Sequence, residues 1–86
     1  MPKFHEVIRN RRRQLQRSQR EVARAVGIQS ADFISLVEKG QRRIDLDRIP
    51  ALAAVLDLDV HQLCRQALAL SAPRMAEALF GAEVQE

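Results

Sequence analysis

Residues 18–40 read SQREVARAVGIQSADFISLVEKG, from Ser18 to Gly40, and their caps and glycines divide the stretch into two short helices joined by a tight turn. Ser18 and Glu21 have the spacing of a capping box, in which the serine oxygen meets the Glu21 N–H and the glutamate reaches back to the Ser18 N–H. A helix follows from Gln19 to about Val26. Gly27 is placed where a chain leaving a helix takes a positive φ, and Ser30 is the next good cap. Asp32 then suits the positive end of a helix dipole. The second helix runs from Ala31 to Lys39 and is closed by Gly40. Its spacing turns Ile34 and Val37 inward, sets Phe33 and Glu38 at the margin, and leaves Ala31, Asp32, Ser35, Leu36 and Lys39 outward.

The same pattern extends in both directions. Upstream, Phe4, Val7, Ile8 and Leu15 form one apolar stripe and predict a helix from Phe4 to Gln14 or Leu15. Downstream, Gln41-Arg42-Arg43 is an exposed basic loop, and Asp45 or Asp47 caps a fourth helix reaching about Leu56, with Pro50 tolerated in its first turn. Asp59 caps a fifth helix from Val60 to about Leu70. Pro73 opens a short sixth, ended at Phe80 by Gly81, and residues 82–86 are expected to fray. The chain has 86 residues, 47% of them apolar, with three Phe and no Trp or Tyr. Its core must therefore be built from Leu, Ile, Val and Ala, which suits packed helices better than strands. The expectation is an all-α chain: a compact five-helix domain over residues 1–70, and a helical extension with a frayed tail over residues 71–86.

Charge divides unevenly. Residues 1–43 carry eleven Lys/Arg against four Asp/Glu, a net of +7, while residues 44–86 carry three against seven, a net of −4. A basic face of this kind favours a polyanionic partner, since neutralising phosphates releases counterions. Eighty-six residues leave little room for the cleft and cofactor site of an enzyme, and neither a nucleophile with its base nor an acid–base pair is arranged in the sequence. No cofactor is expected. His61 and Cys64 lie three apart on one helix face, but two ligands do not make a zinc site, so no metal is expected and Cys64 reads as a small core residue. His5 has no apparent partner. The single Cys asks for no oxidising compartment, the first residues lack an apolar signal core, and the run Ile49 to Leu56 is too short to span a bilayer, so the chain reads as cytoplasmic with no membrane partner.

The succession IRNRRRQL, SQREVARAVG, DFISLVEKG and LDRIPALAAVLDLDVHQL resembles the Cro and phage-repressor type helix-turn-helix family, also called the xenobiotic-response-element family, over roughly residues 4–66. The resemblance implies a lambda-repressor-like fold and a double-stranded DNA partner. It also implies roles for particular residues. Ser18 and Gln19 match the cap and first residue of the second helix, where the glutamine holds a phosphate and steadies the recognition helix. Arg12 and Glu38 match a partly buried ion pair tying helix 1 to the end of helix 3. Lys39, Gln41, Arg42 and Arg43 fall where backbone contacts cluster after that helix, and Ser30 at its cap joins them.

Departures from the family pattern carry information too. Gln16 and Arg17 stand where a glycine and an apolar residue are usual, so the first turn loses a flexible residue and a hydrophobic staple, and Arg17 is freed to face a phosphate. One additional residue lies between Gly27 and Ser30; it either lengthens the turn or shifts the register of helix 3. The base-facing positions usually hold Gln, Ser, Arg or Lys; here they are Ala31, Asp32, Ser35 and Leu36, of which only Ser35 is polar and neutral. Ala31 and Leu36 suit thymine methyls and Asp32 suits a cytosine amino group, while Ala31 and Asp32 are equally good first-turn residues on structural grounds alone.

Taken together these features predict a non-enzymatic, sequence-specific DNA-binding transcriptional regulator, a repressor acting as a homodimer with helix 3 in the major groove. The competing expectation is an interaction or antitoxin-like adaptor that meets a protein partner through the apolar side of helix 3, at Phe33 and Leu36, and through Leu68, Leu70, Met75, Leu79 and Phe80. Those tail residues either fold back onto helices 1 and 5 or form a surface for a second copy or a partner.

Overall fold

Apolar residues at helical spacing fold residues 2–81, the part of the chain described by the computed structural model, into α1 (Phe4–Gln14), α2 (Gln19–Ala25), α3 (Ala31–Glu38), α4 (Ile49–Val55), α5 (Val60–Ser71) and α6 (Pro73–Phe80). No strand occurs among the described residues. One layer of core side chains joins the first five helices: Ile8 from α1, Val22 and Ala23 from α2, Ile34 and Val37 from α3, Ile49, Leu52 and Ala53 from α4, and Leu63 and Ala67 from α5. The loop residue Ile44 and the helix-end residues Val26 and Leu56 complete it. Ile34 and Val37 on α3 and Ile8 on α1 lie inward as the sequence predicts, whereas Val7 and Leu15 of the expected α1 stripe are only half-buried. Truncating any of the large core residues to Ala should cost about 2–5 kcal/mol.

Helices α1 to α4 end in the same way. A residue in the left-handed region follows each cap, and the next N–H reaches back to the carbonyl five residues earlier: Arg17 to Arg12 at 3.1 Å, Ile28 to Ala23 at 2.8 Å, Gln41 to Leu36 at 2.9 Å and Leu58 to Ala53 at 2.9 Å. The left-handed residues are Gln16 (φ 58°), Gly27 (77°), Gly40 (75°) and Asp57 (51°). Gly27 is required twice over, because a Cβ there would lie 2.9 Å from Arg48 Nη1. That guanidinium donates to the Val26 and Gly27 carbonyls at 2.6 and 3.1 Å, satisfying the free end of α2. Arg11 does the same for α4, donating to the carbonyls of Leu56 and Asp57.

Gln16 is the strained member of the set. A side chain in the left-handed region costs about 1–2 kcal/mol, and a glycine there forfeits roughly 0.5–1 kcal/mol of unfolded-chain entropy in return. Gln16→Gly should therefore raise stability by about 0.5–1 kcal/mol, seen as a rise of roughly 2–6 °C in Tm. A Tm at or below that of the parent chain would show that the turn carries no strain.

Several expectations are corrected. The fourth helix starts later than a cap at Asp45 or Asp47 predicts: Leu46–Arg48 form a 3-10 turn and the α-helix begins at Ile49. Neither Asp45 nor Asp47 caps α4: Asp45 precedes the 3-10 turn without a side-chain cap bond, and its carboxylate accepts from Arg48 Nε at 3.4 Å. Pro50 sits in the first turn of α4, where its missing N–H is not needed. The longer loop after Gly27 is absorbed by the turn, with Ile28 half-buried against the core and α3 starting at Ala31 with Ile34 and Val37 inward. Glu38 is buried and not marginal. The tail folds back on α5, not on α1 and α5 alike: Ala76 is buried, and Phe80 meets His61 edge-on at 5.7 Å and lies under the Arg65 guanidinium at 5.1 Å. The expected fraying of residues 82–86 lies outside the described residues.

Candidate nucleic-acid interface

Three helices meet at one carboxylate. Glu38, 2% exposed at the end of α3, accepts from Arg12 Nε at 2.6 Å on Oε2, and on Oε1 from Arg12 Nη2 at 3.0 Å and from Gln19 Nε2 at 3.1 Å. The remaining Arg12 nitrogen, Nη1, donates to the Arg17 carbonyl at 3.0 Å and so closes the turn after α1. The bidentate pair raises the Arg12 pKa above its ordinary value, chiefly through the hydrogen bond to Glu38. A planar guanidinium suits this post better than an ammonium because its donors match the carboxylate edge and the carbonyl at once. The consequence is mechanical: α1, α2 and the last turn of α3 are fixed relative to one another, so the outer face of α3 is presented on a rigid frame.

Both helices of the pair start on serine caps. Ser18 Oγ accepts from Glu21 N at 3.0 Å while Glu21 Oε1 accepts from Ser18 N at 2.8 Å, and Ser30 Oγ accepts from Asp32 N at 3.1 Å. Each hydroxyl acts here as acceptor and keeps its proton to donate outward. The Ser18 N–H, followed by the Ser18 hydroxyl, holds the Glu21 carboxyl below its ordinary pKa. A depressed carboxyl contributes above its unfolded pKa and loses that contribution as pH falls through the folded value. In an NMR titration the Ser18 amide should therefore move with a midpoint below the ordinary glutamate value. A midpoint at or above it would mean that the box does not form in solution.

On α3, Asp32 and Lys39 are exposed, while Ala31, Ser35 and Leu36 are half-buried at the shoulders of the same face. Arg17, Ser18, Ser30, Gln41, Arg42 and Arg43 are exposed around it. Gln19 is half-buried, its amide nitrogen turned to Glu38. The guanidinium of Arg42 stacks 5.6 Å from the centroid of Phe33, which lays the basic loop along the flank of α3. Arg12 and Glu38 form the pair that the resemblance implied.

Residues 8–63 match the helix-turn-helix family. The chain belongs to it, in the Cro and phage-repressor branch. No curated protein and no solved structure matches the chain. The helix-turn-helix family is one of DNA-binding regulators and not of enzymes, and the matched span runs from the core of α1 into α5, taking in the whole α2–α3 unit and its brace.

Within this helix-turn-helix domain the arginines divide by task in a way the sequence does not announce. Arg11, Arg12 and Arg48 are spent on helix ends and ion pairs. Arg9 has its Nε buried without a partner. Arg13, Arg17, Arg20, Arg24, Lys39 and Arg43 are exposed and make no ion pair. Arg20 and Arg24 were missed by the sequence reading although they stand one turn apart on the outer side of α2. They line a shallow groove with Gln29 and Ala31 at the start of α3. His61 packs on Phe80 and Cys64 is half-buried against the core, so both serve packing. Among the described residues no group of His, Cys, Asp and Glu could hold a metal, and no helix is long and apolar enough to cross a membrane.

Proposed function

We propose that this DNA-binding regulator is a sequence-specific repressor that docks α3 in the major groove of double-stranded DNA as a homodimer in the cytoplasm. Residues 1–70 do the docking and residues 71–86 extend it. The observation that carries this reading is the rigid α2–α3 frame ringed by exposed cations that make no ion pair among the described residues. Arg17, Lys39, Arg42 and Arg43 hold phosphates together with the Ser18 and Ser30 hydroxyls, the side chains of Gln19 and Gln41, and the N-terminal N–H groups of α2 and α3. Ala31, Asp32, Ser35 and Leu36 face the base edges. Occupying an operator is enough to block transcription, whereas activation needs a further contact with polymerase. Two copies on one operator place paired α3 helices about one DNA turn apart, and this supplies the buried surface that one small module lacks.

Fluorescence anisotropy of the full chain with a labelled duplex, repeated across a salt series, tests the reading. Affinity should fall steeply with salt. No binding to any duplex at low salt would overturn it.

A second reading has its own observation. Among the described residues the exposed large apolar side chains are Val60, Leu70, Met75 and Leu79, all on α5 and α6, which suits an adaptor that joins the DNA-bound domain to a protein. Met75→Lys/Leu79→Lys should then remove regulation in the cell while leaving binding to a single half-site unchanged.

A further inference from the structure

The basic half of the chain contains four acidic residues: Glu6, Glu21, Asp32 and Glu38. Three of them are tied into the fold. Glu6 accepts from Lys3 N at 2.8 Å, Glu21 closes the box with Ser18, and Glu38 holds Arg12 and Gln19. Among the described residues the Asp32 carboxylate alone of these four makes no hydrogen bond or ion pair, and Asp32 is exposed on the outer face of α3. A free carboxylate on a surface meant for phosphates opposes binding to every sequence alike, so its compensation must come from particular bases. In the major groove only one base offers a pure donor to an acceptor-only side chain: cytosine, through its N4 amino group. Thymine O4 and the guanine acceptors repel a carboxylate, and adenine's donor sits beside its N7 acceptor. One turn along α3, on the side that Asp32 shares, Leu36 presents an apolar side chain and no donor or acceptor. It fits a C5 methyl group.

We propose that Asp32 and Leu36 together select a cytosine whose major-groove neighbour is a methyl group, that is, a cytosine next to thymine or a 5-methylcytosine. The inference rests on the docking of α3 proposed above and adds the base chemistry that the docked helix reads. Its distinctive consequence is a change of opposite sign in two measurements. Removing the charge relieves repulsion and tightens, or leaves unchanged, the binding to arbitrary duplex, while preference at the selected position is lost.

Selection of the full chain against a random duplex pool, followed by anisotropy on the enriched site, decides it. The enriched half-site should contain a cytosine flanked by thymine. Changing that cytosine should weaken binding roughly 5- to 100-fold, as expected for a single base contact. Exchanging the neighbouring thymine for deoxyuracil removes one methyl and should cost about three- to fivefold. Asp32→Ala should abolish the cytosine preference without weakening binding to a scrambled duplex. Asp32→Asn, which keeps a capping-competent side chain at the helix start, should move the preference toward adenine, whose edge pairs with an amide. Enrichment without that cytosine, no enrichment at all from a duplex-binding chain, or a cytosine preference that survives in Asp32→Asn overturns the inference and leaves α3 docking intact. Failure to bind any duplex overturns both.

Discussion

Arg12→Met should destabilise the domain by about 3–5 kcal/mol, a large part of the roughly 5–15 kcal/mol that holds a domain folded. The reason is the state of the partner left behind. Glu38 is 2% exposed, and without Arg12 its carboxylate keeps only the Gln19 amide as a donor. The Arg17 carbonyl and the strained turn at Gln16 lose their side-chain support in the same step. Glu38→Leu should cost less, since the Arg12 side chain is 13% exposed and its guanidinium can turn toward water. The double variant Arg12→Met/Glu38→Leu should recover most of the loss, because an apolar pair of similar volume replaces a buried ion pair at little net cost. Urea unfolding of the parent, both single variants and the double variant gives the cycle. If Arg12→Met costs under about 1 kcal/mol, or if the two single losses simply add, Glu38 does not depend on Arg12 and the three-helix brace is not what fixes α3.

The parts of this molecule that were legible in its sequence are those governed by local rules. Ser18, Glu21, Gly27, Ser30 and Gly40 sit where the capping pattern puts them because a cap is satisfied by residues two to five positions away. The inward positions Ile8 on α1 and Ile34 and Val37 on α3 follow in the same way from periodicity. What escaped the sequence depends on distance along the chain. Asp45 looks like the cap of the fourth helix, yet a 3-10 turn separates it from α4 and Arg48 takes its carboxylate while also reaching back to Val26. Arg11 looks like one more cation of a basic run until α4 brings the carbonyls of Leu56 and Asp57 to it. The direction of the α6 fold-back was undecidable for the same reason, since it turns on Phe80 meeting His61 and Arg65. Net charge by halves therefore overstated how many arginines of the basic half are free to act on a partner.

That division of the arginines yields the second large effect. Lys39→Ala/Arg42→Ala/Arg43→Ala should leave the fold intact, because all three side chains are exposed, none makes an ion pair among the described residues, and only the Arg42–Phe33 stacking is lost. DNA binding should nevertheless collapse. Each phosphate contact contributes about 0.9 to the slope of log K against log salt, so the slope should become shallower by about 2.7. Extrapolated to about 0.1 M salt, the same relation gives a loss of roughly tenfold per contact, or on the order of several hundredfold for three. The loss should be nearly uniform across sequences, since contacts to phosphate position the domain without reading bases. Arg11→Ala/Arg48→Ala is the matched control: it removes two positive charges from the same chain, but these are committed to helix-end carbonyls. It should lower the unfolding midpoint while leaving the salt slope of the folded fraction nearly unchanged. Equal slopes for the two variants would mean that affinity follows net charge alone, and the basic loop along the flank of α3 would then hold no phosphate.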